Sequence, residues 1–116
     1  MTAKQRLQKT ADKLWFNKHI EENCEVCGCS EYLQVHHFFP KSSYPQLRYH
    51  DENGVTLCRG CHFRHHHVGD PAIQQYVIEN RGINWYAKLL EESKKKIKPS
   101  FKTEKYLKDI IERLGT

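Results

Sequence analysis

CEVCGCSEYLQVHHFFPKSSYPQLRYHDENGVTLCRGCHFRHH, residues 24–66, sets two Cys-x2-Cys pairs around a histidine doublet, His36-His37, and follows the doublet with Asn53, His62 and His66. A tight turn across four residues brings two sulfurs to one metal edge, so Cys24, Cys27, Cys58 and Cys61 together make a tetrahedral zinc site. Four thiolates leave no coordination position for water. That site is therefore structural, and it pins the two ends of the intervening loop. Cys29 is the fifth cysteine; it could replace Cys27 in a Cys-x4-Cys pairing, but that is the less common knuckle, and it reads as a spectator. In a reducing compartment four cysteines in knuckle spacing indicate zinc rather than disulfides.

The histidines divide differently. Adjacent side chains on a strand point to opposite faces, so His36 and His37 do not easily share one ion. His62 and His66 are four apart on a helix that starts at the second knuckle, which puts both imidazoles on one face. With one residue of the doublet they form a three-nitrogen site with open positions, as a catalytic metal requires. Histidine titrates near pH ~6.5 and serves as a neutral base at physiological pH. His37 fits that role if Asn53 fixes its tautomer by hydrogen bonding. His65 and His67 remain alternatives to His66, because i+3 from His62 reaches the same face.

Working outward, residues 4–20 carry Leu7, Ala11, Leu14, Trp15 and His19 at helical spacing and predict an amphipathic helix. A short strand is expected over 32–38, a loop with Pro40 and Pro45 up to residue 52, a second strand over 54–57, and a helix from the second knuckle. Asp70 before Pro71 caps a helix over 71–80 that ends at Gly82, another follows over 83–96, and Thr103 caps a last one. Leu107, Ile110, Ile111 and Leu114 form its apolar stripe, which packs on the chain's own core or docks a partner. The whole reads as one domain, 1–116: an N-terminal helix (1–23), a zinc-knuckle core (24–68) and a helical extension (69–116).

Length and composition set the limits. A chain of 116 residues with 38% apolar residues has room for one small core, so metal binding and folding are coupled. No apolar run approaches the ~20 residues of a membrane span, and the amphipathic start is unlike a signal peptide. A cytoplasmic location is expected, with no membrane partner. The net charge of +5 is uneven: residues 1–23 sum to +2, 24–87 to −1 and 88–116 to +4. Such flanks read either as holding a polyanion such as nucleic acid through phosphate contacts or, with Lys mixed among Glu, as ordinary solvated helix faces; Arg48, Arg59 and Arg64 nearer the centre are candidates for phosphate contact.

CEVCG, LQVHHFFP, ENGVTLC and CRGCHFRHH, in that order, resemble the HNH endonuclease family in its zinc-knuckle subgroup. The resemblance implies an α+β fold, a ββα-metal (His-Me finger) core with the four-Cys zinc beside it and flanking helices. It implies hydrolysis of DNA phosphodiester bonds, with His37 as general base, Asn53 orienting it, and His36, His62 and His66 as ligands of a catalytic divalent ion. Many relatives have Asp where His36 stands, so the all-histidine set is similar to that of the colicin nucleases. Three imidazoles suit Zn²⁺, Ni²⁺ or Mn²⁺ better than Mg²⁺. A second resemblance, in YPQLRYHDENGVTLCRGC and DPAIQQYVIENRG, is to the phage NinG (Rap) recombination nucleases. It implies a phage-encoded protein in a bacterial host, branched or nicked DNA as substrate, and packaging or recombination proteins as partners. The competing reading is a non-catalytic, zinc-stabilised nucleic-acid-binding module, which needs no second metal.

Overall fold

The computed structural model describes residues 1–115. It contains helix α1 (Ala3–His19), strands β1 (Gln34–His37) and β2 (Gly54–Leu57), helix α2 (Arg59–Phe63), and helices α3 (Pro71–Arg81), α4 (Ile83–Ser93) and α5 (Glu104–Gly115). The fold is thus mixed, helices around one small antiparallel hairpin. β1 pairs β2 in the register Gln34↔Leu57, Val35↔Thr56, His36↔Val55 and His37↔Gly54. β1 is shorter than the 32–38 expected, because Tyr32 has φ +55, a left-handed conformation that cannot continue an extended strand. The loop expected over 39–52 holds two single 3₁₀ turns, Pro45–Leu47 and Asp51–Asn53; the second runs into β2.

Two apolar clusters flank the hairpin. On one side Ala11 and Trp15 of α1 meet Val35, Tyr49 and Leu107, Ile110 and Leu114 of α5. The α5 stripe is therefore covered by the chain's own core. On the other side Phe38, Leu47, Val55 and Leu57 pack with the buried cysteines and with Ile73, Val77 and Leu89 of α3 and α4. The caps follow local chemistry: Asp70 accepts from the Ala72 N–H ahead of Pro71, and the Thr103 hydroxyl accepts from the Tyr106 N–H. At α1, Thr2 and Gln5 form a reciprocal capping box.

Gly54 is required by close approach. A Cβ there would stand 3.1 Å from Val35 Cγ1 and 3.2 Å from Trp15 Cζ2, so the indole lies directly on the hairpin end that carries His37.

Arg81, at the end of α3, holds the first knuckle to the second strand. Its guanidinium donates to Glu25 at 2.6 Å and 3.0 Å and to the Gly54 carbonyl at 2.8 Å, and it lies 4.8 Å from the Trp85 ring centre. The pair is largely shielded, with side chains 23% and 18% exposed. Removing one member leaves the other charge without a partner in a desolvated place. Arg81→Met is expected to cost about 2–3 kcal/mol, below the ~3–5 kcal/mol of a fully buried pair because solvent still reaches it. Urea denaturation checks this, and a loss under about 0.5 kcal/mol would mean that the pair is merely superficial.

Candidate active site and metal centres

The four paired cysteines converge as the spacing requires. Sγ atoms of Cys24, Cys27, Cys58 and Cys61 all lie within 4.8 Å of one another, and Cys27 and Cys58 are 3.5 Å apart. Tetrahedral zinc with Zn–S bonds of ~2.3 Å sets its sulfurs ~3.8 Å apart, so the quartet fits the ion. Cys24 and Cys61 are buried. Burial raises the Cys58 thiol, but the Cys61 N–H and the neighbouring thiols outweigh it and bring the group down to about 7. Cys29 is exposed and stands outside the quartet; its carbonyl accepts from the Cys24 N–H at 2.8 Å, closing the knuckle turn.

A second cluster is formed by His36, His62 and His66, whose ring nitrogens lie within 4.8 Å of one another. His36 comes from β1, where alternation sends it away from α1. His62 comes from α2, stacked on His36 with ring centres 3.6 Å apart. His66 arrives by a route that helical spacing did not foresee. α2 ends at Phe63, and residues Arg64–Val68 form one π turn, closed by Asp70 N–H donating to the Arg64 carbonyl at 2.9 Å and by Gly69 at φ +69. A glycine takes that left-handed position without penalty, and the wider turn still sets His66 beside His62. Single π turns occur frequently at functional sites.

The other helix histidines separate. His65 lines a narrow apolar recess with Ile73 and Val77, and His67 stacks on Phe63 at 5.2 Å. The three clustered imidazoles are held neutral. Burial and then the nearby histidines push His36 down to about 3, and the same causes lower His62, while burial and then His67 lower His66. Neutral imidazoles with free nitrogens are the state in which histidine binds a metal. Three nitrogens beside an open cleft suit a divalent ion of the zinc, nickel or manganese kind.

His37 occupies the opposite face of β1. Its ring is stacked on Trp15, with centres 4.3 Å apart and planes 4° from parallel, and Nε2 lies 2.9 Å from the Arg48 carbonyl. A carbonyl only accepts, so Nε2 carries the proton and Nδ1 keeps its lone pair. Burial, with Lys41 and Arg48 adding to it, lowers the ring to about 4 although the Arg48 carbonyl works in the other direction. His36, His37 and His66 nevertheless border one cleft of about 390 Å³, completed by Pro40, Lys41 and Ser42.

The structure corrects the expected role of Asn53. No hydrogen bond joins it to His37 among the described residues. Fully buried, its Oδ1 accepts from the Phe39 N–H at 2.8 Å, and its Nδ2 donates to the Phe39 and Leu47 carbonyls, both at 3.1 Å. Asn53 thus laces together the loop whose Arg48 carbonyl meets His37. Asn53→Ala strips three backbone groups, one buried and two partly buried, of their partner, a buried loss being worth ~1–3 kcal/mol. A destabilisation of about 3 kcal/mol is expected in a denaturant titration. If stability is unchanged, the lacing role is wrong.

Two of the three arginines expected at phosphates already have carboxylate partners in the structure. Arg48 is held by both carboxylate oxygens of Asp12, at 3.0 and 2.7 Å, with the Tyr49 hydroxyl donating to the same group at 2.7 Å. Arg64 is paired with Asp70 at 2.7 Å. A guanidinium already matched to a carboxylate has little positive field to offer a phosphate. Arg59 instead lies 4.7 Å from the Tyr32 ring centre and lines a recess of about 270 Å³ with Tyr32, His36 and His62.

Sequence reasoning missed Trp15, Asp12 and the Arg48 carbonyl. Trp15 looked like an ordinary apolar helix residue, and no sequence signal marks a backbone oxygen. No helix among the described residues is long and apolar enough to cross a membrane. No curated protein and no solved structure matches the chain. One family model does match, over residues 24–68, and its description is HNH endonuclease. That stretch holds both cysteine pairs, the doublet, Asn53, His62 and His66, so the centre of this chain is similar to HNH endonuclease domains, a likeness that points to a nuclease-type function in general.

Proposed function

We propose that the chain is a metal-dependent DNA endonuclease in which His37 is the general base and His36, His62 and His66 hold the catalytic divalent ion, in a ββα-metal core formed by β1, β2 and α2. The observation that carries this reading is the shared cleft: His36 and His66, two of the three clustered imidazoles, border the same space as His37, which reaches it from the opposite face of the strand that carries His36. An ion held by the three imidazoles would supply positive charge to the scissile phosphate and to the departing 3′-oxygen.

The chain's own residues do the rest. The Arg48 carbonyl keeps the proton on Nε2, and Trp15 holds the ring plane, so Nδ1 of His37 can take a proton from water as its oxygen attacks phosphorus. The P–O3′ bond then breaks, and the 3′-oxygen is protonated from solvent. The low proton affinity of His37 in the free protein is raised when a phosphodiester enters, because a nearby anion favours imidazolium. Basic flanks hold the substrate by salt-sensitive phosphate contacts.

The test combines metal content with cleavage. Wild-type protein is expected to carry one tightly held zinc and a second, exchangeable ion, and to nick plasmid DNA when Mn²⁺, Ni²⁺ or Zn²⁺ is supplied. His62→Ala should keep the first ion, lose the second and lower the nicking rate at least about 100-fold, the scale of a lost charge-stabilising group. Failure to cut linear, nicked, single-stranded and four-way-junction DNA with any of these ions or Mg²⁺ would remove the reading.

A further inference from the structure

The cleft at the histidines continues past them. Its rim residues Lys41 and Ser42 also line a neighbouring cavity of about 410 Å³, a volume within the range of ligand sites. That cavity is walled by Lys98, Phe101 and Lys102 on one side and by Tyr106 on another. Phe101 and Lys102 belong to the turn Pro99–Lys102, and Tyr106 to α5. The Phe101 and Tyr106 rings lie 5.0 Å apart and are tilted by 46°. No acidic side chain lines the cavity among the described residues. Its three lysines form no ion pair among the described residues, whereas Lys18, Lys95 and Lys105 do so elsewhere.

We propose that this cavity binds an unpaired stretch of a DNA strand and leads it, past Lys41 and Ser42, to the histidine cleft. The lysines suit successive phosphates, and the aromatic pair offers faces on which bases stack, the combination that holds single strands without regard to sequence. A paired helix buries its base faces and could use only the lysines. An acidic peptide would likewise use the lysines and leave the rings idle. The path to the histidines rests on the nuclease reading; occupancy of the cavity does not. The substrate class that follows is DNA with a single-stranded segment beside the cut.

Fluorescence anisotropy tests it on the full chain, with its structural zinc and no other divalent ion, using a labelled single-stranded oligonucleotide and a duplex of equal length. Phe101→Leu keeps the apolar bulk but removes the ring, and about tenfold weaker single-strand binding is expected with duplex affinity unchanged. Replacing Lys98 and Lys102 by Gln should lower the salt slope of single-strand binding by about 1.4, twice the ~0.7 per phosphate contact. Unchanged single-strand affinity in Phe101→Leu, an equal loss on the duplex, or displacement of the oligonucleotide by polyglutamate as readily as by unlabelled DNA would each overturn the inference. Because nothing is hydrolysed in this assay, a protein that cuts no DNA removes the nuclease reading without touching this result.

Discussion

His37→Ala is expected to reduce DNA cleavage by at least about 100-fold, and up to about 10⁴-fold, the span typical of a lost general base. Zinc content and the exchangeable ion should both persist, because His37 faces Trp15 and the Arg48 carbonyl rather than the three-imidazole cluster. The substitution removes a ring stacked on the indole, so a modest loss of stability accompanies it. His37→Phe restores the stacking without the nitrogen. If His37→Phe folds like wild type and still fails to cut, the ring nitrogen is what the reaction needs. If either variant nicks plasmid at the wild-type rate, another group activates the water.

The second large effect concerns the other metal. Cys24→Ser is expected to abolish the cooperative fold, seen as loss of the thermal transition and of bound zinc together. Cys24 is 3% exposed and belongs to the same cluster as Phe38, Leu57 and Leu89, so losing its thiolate disrupts both the ion and the packing built on it. Structural zinc contributes ~10–16 kcal/mol in small domains, against a total stability of ~5–15 kcal/mol for a protein. The deficit exceeds what a domain of this size retains. Cys29→Ser is the matched control, since Cys29 stands outside the quartet, and it should leave zinc content unchanged. A folded, zinc-loaded Cys24→Ser protein would show that three sulfurs suffice.

Sites built from short local spacings were legible before the fold was known. Each Cys-x2-Cys pair brings its own two sulfurs together through one turn, and only the meeting of the two pairs needed the chain to close. The helix positions were readable for the same reason: Asp70-Pro71, Gly82 and Thr103 carry their signals within a few residues. The π turn was not readable. It depends on Asp70 reaching back to the Arg64 carbonyl, and nothing in HFRHHH distinguishes a widened turn from an ordinary one.

The amino-acid sequence by itself determined which residues could ligate a metal, that the doublet must split between two faces, and that the paired cysteines and the histidines form separate groups, while leaving His65, His66 and His67 as alternatives. Those are consequences of side-chain chemistry and of the two-residue period of a strand. Tertiary structure alone decided what surrounds His37: an indole from α1, made possible by the bare Cα of Gly54, and a carbonyl delivered by a loop that Asn53 laces from beneath. It also withdrew Arg48 into the Asp12 pair and left Lys41 on a path toward the aromatic cavity. Such contacts join residues 11–37 positions apart, and their partners include backbone atoms common to every residue, so chain packing rather than residue type selects them.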